Sequence, residues 1–349
     1  MLTGQPAREG ASRHSQAETY ARRMATGRGT LTAFALLALG PGLTHATGTG
    51  VVFVANEKSS TITVLDAQHR VIETFPTCAR PRGMAFMPDH TRFIVGCADD
   101  DVIAVYEVAS RKLVGRIRDV AEPETFALHP DGRHLYVSNE EDATASVYDL
   151  DTGELVGEFE TGEEPEGVLA TPDGKLVFVA SEAANLVHVI DVERQEVIKD
   201  ILVATRPRRF ALTPDGKELW VSAELSGQVD IIDMSSLTVA ATVSFRPKGF
   251  RREEVTPVDL LITRDGRRAF VALGRANHVA VVDVPSRQVE DYILVGHRPW
   301  GLALTADERT LYVANGLSDD VTIIDAERLK VVTSVAVGQV PYGFLIDDR

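Results

Sequence analysis

Short apolar stretches separated by turn residues recur along the chain at an almost constant spacing. Residues 164–204 show one complete unit, in which four such stretches lie within about 42 residues. The stretches span 165–171, 176–180, a third that closes at Asp191, and 196–203. Four short strands joined by hairpin turns in a repeat of this length are typical of one β-propeller blade.

Three columns of residues keep one register through the repeats. The first is a proline that opens each unit, at Pro81, Pro123, Pro165, Pro207, Pro257, Pro299 and Pro341. The second is a bulky residue in the second strand, at Phe53, Ile94, Tyr136, Phe178, Trp220, Phe270 and Tyr312. The third is an acidic residue that ends the third strand, at Asp66, Glu107, Asp149, Asp191, Asp233, Asp283 and Asp325. Three columns in one register make a chance similarity untenable.

The turn residues have a direct physical reading. In Pro172-Asp173-Gly174, proline sets φ, aspartate accepts hydrogen bonds from the backbone ahead, and glycine tolerates positive φ. The residues after each opening proline are apolar without alternation, which predicts an innermost strand buried on both faces. The third strand alternates more, with His188 between Val187 and Val189.

The two ends of the repeat region complete each other. The chain ends on a first strand from Pro341 without successors, and the repeat begins at Val51 on a second strand without a predecessor. Pairing them predicts an all-β, seven-bladed propeller of four-stranded antiparallel blades, with no open sheet edge at the junction. The predicted blades span 51–80 with 341–349, 81–122, 123–164, 165–206, 207–256, 257–298 and 299–340.

Residues 1–46 lie outside the repeat and have the pattern of a secretory signal. Arg22, Arg23 and Arg28 precede an apolar run at 31–39, and small residues follow near Ala46. The run is too short to span a bilayer. Met24 is an alternative start. We therefore expect a single propeller domain at 47–349 and a periplasmic location, with no membrane span.

The charge of the chain limits its partners. The formal net charge is −15, and removing residues 1–46 makes it more negative. Such a chain is not expected to bind nucleic acid. An acidic surface is most often a matter of solubility, although it could also attract a basic partner such as a cytochrome.

The two cysteines, Cys78 and Cys97, are predicted at the same end of the ring. An exported protein can form disulfides, so a disulfide and a pair of buried free thiols both remain open.

Loops that enter the inner strands line the mouth of a propeller's central channel, so the residues flanking the opening prolines are the candidate site. They are Arg80, Arg82, Glu122, Glu124, Glu164, Glu166, Arg206, Arg208, His297, Arg298, Trp300 and Tyr342. One interpretation is inter-blade ion pairs, Arg82 with Glu124 and Glu166 with Arg208. The other is a site for an anionic or zwitterionic ligand, with Trp300 and Tyr342 as an apolar wall.

One repeat is eight residues longer than its neighbours. The extra residues precede Pro257, in a locally basic segment with two phenylalanines. Long irregular insertions are commonly functional, which predicts a loop that docks a partner or covers the mouth. Its candidate contact residues are Phe245, Arg246, Lys248, Phe250, Arg251 and Arg252.

Motifs for well-known chemistries are missing from the sequence. There is no HExxH, no CxxCH, no P-loop and no GxSxG. The nine histidines are scattered, with no readable copper or zinc cluster, and no calcium-loop spacing accompanies the acidic loops. We therefore expect no catalytic residues, metal, PQQ or haem.

The repeat resembles the YVTN-family β-propeller repeat at Tyr136–Asn139, Tyr312–Asn315 and Phe53–Asn56. Seven such repeats behind a signal segment are similar to the PQQ-dependent catabolism-associated β-propeller protein family. That resemblance implies a periplasmic, non-enzymatic accessory of quinoprotein alcohol oxidation. Its implied partners are a quinoprotein dehydrogenase, cytochrome c or a transporter component. It does not imply bound PQQ, because the tryptophan-docking repeats of quinoprotein dehydrogenases are absent from this sequence. Its only tryptophans are Trp220 and Trp300.

Two rival functions come from similar propellers. One is an enzyme of the seven-bladed lactonase type, acting at the acidic and arginine-bearing mouth. The other is a carrier of a d-type haem or related tetrapyrrole. The expectation from sequence is the binding or scaffold protein, with these two as alternatives.

Overall fold

The computed structural model describes residues 48–348, and within them the chain forms seven four-stranded antiparallel sheets. The predicted signal peptide lies outside the described residues. Blade 1 joins the two ends of the repeat region, because its innermost strand, Pro341–Asp347, pairs with Val51–Asn56. Val54 pairs with Phe344, and Val52 with Ile346. The predicted closure and the seven-bladed fold are confirmed.

The strands of blades 1 to 4 run from the channel outward. Blade 1 has β28 (Pro341–Asp347), β1 (Val51–Asn56), β2 (Thr61–Leu65) and β3 (Val71–Pro76). Blade 2 has β4 (Pro81–Phe86), β5 (Arg92–Cys97), β6 (Val102–Glu107) and β7 (Leu113–Arg118). Blade 3 has β8 (Pro123–Leu128), β9 (His134–Asn139), β10 (Thr144–Asp149) and β11 (Leu155–Glu160). Blade 4 has β12 (Pro165–Ala170), β13 (Leu176–Ser181), β14 (Leu186–Asp191) and β15 (Glu196–Leu202).

Blades 5 to 7 follow the same order. Blade 5 has β16 (Pro207–Leu212), β17 (Glu218–Ala223), β18 (Gln228–Asp233) and β19 (Thr238–Ser244). Blade 6 has β20 (Pro257–Ile262), β21 (Arg268–Leu273), β22 (His278–Asp283) and β23 (Gln288–Leu294). Blade 7 has β24 (Pro299–Leu304), β25 (Thr310–Asn315), β26 (Asp320–Asp325) and β27 (Lys330–Ala336). Short 3₁₀ turns occupy Ala98–Asp100, Glu224–Ser226, Arg252–Glu254 and Gly274–Ala276.

The core lies between adjacent blades, where the middle strands of one sheet pack against the next. The bulky residues of the second strands lie in this core, and Phe53, Phe178 and Trp220 are fully buried. Each apolar cluster draws on two neighbouring blades, as Phe178 and Leu219 do in blades 4 and 5. Stacking around a ring therefore buries both faces of every sheet.

Two expectations about burial were wrong. The innermost strands are buried at their first residues but only partly buried over the rest of their length, where one of their faces lines the central channel. The third strands are buried on both faces instead of alternating, and His188 is only 4% exposed. A third strand has a paired neighbour on each side and a packed blade on each face, so it has no solvent side.

The polar turn columns act as predicted. Asp173 accepts the backbone N–H of Lys175, and Asp191 accepts that of Arg194. The same bonds recur in other blades, which keeps the hairpins in one register.

Candidate functional site

The chain enters each inner strand through a tight reversal at the channel mouth. Six of the seven residues before the opening prolines have positive φ, which is uncommon for residues other than glycine. They are Arg80, Glu122, Glu164, Arg206, Arg298 and Val340. The charged residues directly before an opening proline have partly exposed side chains, whereas the charged residues directly after one are almost fully buried. The mouth therefore has an outer charged layer above an inner layer wedged between blades.

Blades 2 and 3 form the first ion-pair cluster. The Arg82 guanidinium lies 3.0 Å from the carboxylate of Glu124, and the Arg80 guanidinium lies 3.2 Å from it. Arg80 also pairs with Glu122. Burial and the charge of nearby Glu166 raise the pKa of Glu124 well above its usual range, against the pull of both arginines.

Blades 4 and 5 form the second cluster, which is centred on Arg208. The Arg208 guanidinium lies 2.6 Å from Glu182, 3.1 Å from Glu224 and 3.3 Å from Glu166. Arg206 lies above it, 2.6 Å from Glu182. The predicted inter-blade pairs of Arg82 with Glu124 and Glu166 with Arg208 are therefore present.

The two predicted aromatic residues contact charged side chains of these clusters from the other side of the mouth. The Trp300 ring lies under two guanidiniums, 4.8 Å from Arg208 and 4.7 Å from Arg298. The Tyr342 ring lies 4.5 Å from the Arg82 guanidinium, and its hydroxyl donates to Glu166 over 2.8 Å. Such stacked cation–π contacts hold the two rings and the three guanidiniums in place.

Arg209 is a functional candidate that the sequence analysis missed. From blade 5 it reaches across the channel, where it donates to Thr125 of blade 3 over 3.3 Å and to the hydroxyl of Tyr342 in blade 1. It also pairs with Glu166 of blade 4 at 2.8 Å. One side chain therefore ties three other blades together on the axis of the ring.

Asp259 is the second missed residue. Its carboxylate accepts the backbone N–H groups of Leu260 at 2.9 Å and Leu302 at 2.8 Å. Burial raises its pKa, although the Arg209 charge and these two hydrogen bonds oppose the shift. A carboxyl group of this kind can exchange a proton more readily at neutral pH than an exposed aspartate can.

A sequence signal for both residues existed in the second position after the opening proline. This column reads Gly83, Thr125, Gly167, Arg209, Asp259, Gly301 and Gly343. A side chain at Gly167 or Gly301 would collide with the neighbouring inner strand. A charged side chain in this column must instead point into the channel. Arg209 and Asp259 are the two charged residues of the column, so the sequence already marks them as channel residues.

A cavity of about 200 Å³ lies in the channel at this level. Its polar lining comes from Arg82, Arg209 and Asp259, and its aromatic wall from Trp300 and Tyr342. The apolar part is Met84, Phe126, Leu302 and Phe344. Concave sites with a few convergent polar groups on an apolar lining are typical of small-molecule binding.

The predicted site residues therefore separate into three groups. Arg82, Trp300 and Tyr342 line the cavity. The others, except one, belong to the ion-pair clusters around it: Arg80, Glu122, Glu124, Glu164, Glu166, Arg206, Arg208 and Arg298. His297 is exposed and belongs to neither the described clusters nor the cavity lining.

The insertion loop is partly an internal element. Phe245 is 2% exposed and packs in the core of blades 5 and 6, so its prediction as a partner contact was wrong. Phe250 packs edge-on against His278 at a centroid distance of 5.5 Å. Arg246, Lys248, Arg251 and Arg252 are exposed, and none of them lines the cavity. Partner docking by these four residues stays a prediction.

Cys78 and Cys97 form a disulfide, with their Cα atoms 5.7 Å apart. This settles the alternative of two free thiols that the sequence left open. The bridge joins the loop entering blade 2 to the end of β5, and closing a loop of this length contributes about 3 kcal/mol by the chain-entropy estimate.

Two groups of side chains near the mouth resemble a metal site and a catalytic triad, but their geometry favours neither function. Glu122, Glu124 and Glu140 converge as metal ligands would, but the Arg80 guanidinium pairs with all three and supplies the positive charge.

A chain of hydrogen bonds joins Ser181, His188 and Asp200 in the order of a hydrolase triad. The Ser181 hydroxyl lies 2.9 Å from Nε2 of His188, and the Asp200 carboxylate lies 2.7 Å from its Nδ1. Ser181 is fully buried, and the base nitrogen of His188 already accepts the N–H of Gly162 over 2.8 Å. We therefore interpret this row as internal bonding of blade 4.

No helix within residues 48–348 has the length and apolar character needed to cross a bilayer.

Residues 203–331 match the family model described as lactonase, 7-bladed beta-propeller, and residues 76–211 match that of the YNCE-like beta-propeller. A search of curated proteins found no match.

Similar solved structures confirm the architecture. The periplasmic gluconolactonase of Pseudomonas aeruginosa has a TM-score of 0.71 and 21% identity, over 85% of this chain and 98% of that one. The hydrazine synthase of Kuenenia stuttgartiensis has a TM-score of 0.66 and 23% identity, over 75% and 88% of the two chains. A dihydro-heme d1 dehydrogenase has a TM-score of 0.66 and 14% identity, over 85% and 75%.

These matches correct the expected function. The lactonase family model and the gluconolactonase neighbour overturn the expectation of a non-enzymatic accessory of quinoprotein alcohol oxidation, and they favour the enzyme alternative. The chain is a seven-bladed β-propeller whose sequence matches lactonase-type and YNCE-like propeller models.

Proposed function

We propose that the protein is a lactonase that hydrolyses a small lactone in the channel cavity. The observation that carries the proposal is the position of Asp259 and Arg209 together on that cavity, within the segment that matches the lactonase family model. A partly buried carboxyl group near a fixed guanidinium supplies a general base and an oxyanion-stabilising cation, which together can catalyse hydrolysis of a cyclic ester.

Asp259 is the proposed general base. Its raised pKa suits proton transfer near neutral pH, and its two backbone hydrogen bonds hold the carboxylate in place. Glu166 is the less suitable carboxylate. Although burial favours its protonated form, Arg208, Arg209 and Arg82 hold the pKa of Glu166 well below its usual range.

Arg209 and Arg82 are the proposed electrophilic groups. Both guanidiniums line the cavity, and the Nε–H of Arg82 is buried without a hydrogen-bond partner. Because the ion pairs with Glu166 and Glu124 fix these cations before the substrate arrives, they can stabilise a developing oxyanion without reorganising.

The proposed reaction balances with side chains and water alone. Asp259 takes a proton from water, and the resulting hydroxide adds to the lactone carbonyl carbon, whose oxygen becomes the oxyanion beside the guanidiniums. Collapse of this intermediate breaks the ring C–O bond. The leaving alkoxide takes the proton back from Asp259, which gives the hydroxy acid and regenerates the base.

The size of the cavity limits the substrate. At about 200 Å³ it is smaller than the roughly 300–1,000 Å³ sites of drug-sized ligands. A single-ring sugar lactone such as glucono-1,5-lactone suits this space and is our proposed substrate class, in keeping with the gluconolactonase neighbour. The limited space also disfavours the tetrapyrrole alternative.

We place the reaction in the periplasm. The signal-like segment at 1–46 supports this location, and the similar Pseudomonas enzyme is named as periplasmic. The proposed chemistry requires no PQQ or haem, and an absorption spectrum of the purified protein tests that point.

The test is hydrolysis of glucono-1,5-lactone, followed by acid release and corrected for its spontaneous rate in buffer. We expect Asp259→Asn to lower kcat by about 10²–10⁴-fold and Arg209→Gln by about 10²–10³-fold. Arg267→Gln makes the same chemical change on the exposed surface and should keep the wild-type rate. A wild-type rate no higher than buffer, or full activity in Asp259→Asn, would refute the proposal for this substrate class.

A further inference from the structure

The turn between β8 and β9 of blade 3 contains two imidazoles and a carboxylate. It reads His129-Pro-Asp131-Gly-Arg-His134. In an antiparallel blade the turns after the first and third strands lie on the face opposite those after the second and fourth. This turn is therefore on the opposite face from the channel mouth and takes no part in the proposed lactonase site.

The two imidazoles face the same oxygen of the Asp131 carboxylate. The Nδ1 atom of His134 lies 2.6 Å from Oδ2 of Asp131, and the Nδ1 atom of His129 lies 3.0 Å from the same oxygen. All three potential donor atoms are within 4.8 Å of one another. The side chains of His129 and His134 are 12% and 21% exposed, so an ion from solvent can reach them.

The hydrogen bonds of His129 direct its Nδ1 lone pair towards the other two side chains of the turn. Its Nε2 lies 2.9 Å from the backbone oxygen of Gly174, and a carbonyl only accepts, so Nε2 carries the hydrogen. In a neutral imidazole the lone pair is then on Nδ1, which faces the Asp131 carboxylate. This lone pair accepts the backbone N–H of Asp131 over 3.3 Å, and a metal ion bound there would take the place of that long hydrogen bond.

The same hydrogen bond is the arrangement found around metal-bound histidines. A ligating imidazole commonly donates its other N–H to a carbonyl or carboxylate, which fixes the ring and its tautomer. Here the carbonyl belongs to the corresponding turn of blade 4. Gly174 has no Cβ, and one added there would collide with the His129 ring, so the ring is held closely between the two blades.

Other blades show what this position does without histidine. Four of them have threonine in place of His129: Thr171, Thr213, Thr263 and Thr305. Each hydroxyl donates to the turn aspartate over 2.7–2.8 Å. Blade 3 replaces that neutral donor with an imidazole and adds a second one at His134, where blade 4 has Leu176.

We propose that His129, Asp131 and His134 bind a divalent transition metal ion such as Zn²⁺. Two imidazole nitrogens and one carboxylate oxygen suit Zn²⁺, Ni²⁺ or Cu²⁺ better than Ca²⁺ or Mg²⁺. Three protein ligands leave at least one coordination position to water. This site revises the expectation from sequence that no histidine cluster is present, because the two histidines are separated by four residues and only the turn brings them together.

The test is titration of the full-length, untagged, chelator-treated protein with Co²⁺ as a spectroscopic probe and with Zn²⁺ in calorimetry. The double variant His129→Thr/His134→Leu copies the Thr171–Leu176 turn of blade 4, so the fold should tolerate it. His297→Ala removes an exposed histidine elsewhere and is the matched control.

We expect one equivalent of metal to bind to the wild type and to His297→Ala, with visible cobalt absorption of a low-coordinate site. The double variant should lose at least about tenfold in affinity and lose that absorption, while its far-UV circular dichroism and thermal midpoint without metal stay near wild type. Equal binding by the double variant, or no binding by the wild type at millimolar metal, would overturn the proposal. Neither result depends on lactone turnover.

Discussion

The two halves of the channel mouth are built from different chemistry. Blades 2 to 5 present paired arginines and glutamates, which we call the charged arc, centred on Arg82 and Arg208. Blades 6, 7 and 1 present Val258, Trp300 and Tyr342 in the corresponding position, which we call the apolar arc. In the charged arc nearly every charge is neutralised by a neighbouring blade, so it holds the ring together.

The apolar arc has no charges of this kind to neutralise, and the cavity borders it. Its aromatic faces contact Arg82, Arg208 and Arg209 from the charged arc, but the rings leave space beside them. The two interpretations from sequence, inter-blade pairing and a ligand site, therefore belong to different parts of one mouth. Pairing dominates the charged arc, and the proposed substrate site lies where the two arcs meet.

The largest expected effect comes from breaking the charged arc at Arg208. Arg208→Gln leaves three carboxylates without their shared partner, and breaking a buried ion pair typically costs about 3–5 kcal/mol. Denaturant unfolding measures the change. Arg194→Gln breaks an exposed pair with Asp191 and should cost less than about 1 kcal/mol. Similar losses for both variants would contradict the special status of the charged arc.

Trp300 tests the apolar arc in the same assay. Trp300→Leu keeps an apolar side chain but removes the two cation–π contacts, each of which contributes about 0.5–2 kcal/mol. We expect a loss of about 2 kcal/mol in unfolding free energy, which is smaller than that of Arg208→Gln. A loss as large as that of Arg208→Gln would mean that the two arcs share the stabilising role.

The charged arc should also make stability depend on pH. Burial, together with the charges of Glu166 and Glu224, raises the pKa of Glu182 to about 8 against the opposing arginines. Between its ordinary value near 4.5 and about 8, the folded state binds a proton that the unfolded state has released. The contribution of this group is therefore present below about pH 4.5 and falls as pH rises to about 8, by at most about 1.4 kcal/mol per unit.

Glu182→Gln imitates the protonated carboxyl group and should flatten that decline. The measurement is unfolding free energy from pH 5 to 8 for both proteins. If the two pH profiles run parallel over this range, Glu182 is ionised throughout and the charged arc does not hold its proton.

The smallest change tests the hydrogen bond that joins the two arcs. Tyr342→Phe keeps the ring against Arg82 but removes the hydroxyl between Glu166 and Arg209. We expect a cost of about 1–2 kcal/mol in unfolding free energy, since a buried bond to a charged group is lost. Loss of lactone turnover at unchanged stability would instead place the hydroxyl in the reaction.

The seven-bladed ring with its blade boundaries followed from the sequence by itself. Every blade repeats the same apolar stretches and turns, and each turn acts through contacts of a few residues, as Asp173 with Lys175 does. The pairs Arg82–Glu124 and Glu166–Arg208 followed as well, because a regular repeat places equivalent positions side by side. Local chemistry multiplied by a period is enough for such predictions.

Only the tertiary structure decided what lies inside the channel and on the opposite face. Arg209 contacts residues up to 133 positions away, and Asp259 acquires its raised pKa from burial within the folded chain. The loop residue Phe245 turned inward, and the imidazole of His129 found its carbonyl partner in the next blade. Burial and contacts across blades depend on where the closed ring places each side chain, and a one-dimensional period carries no information about the centre around which it closes.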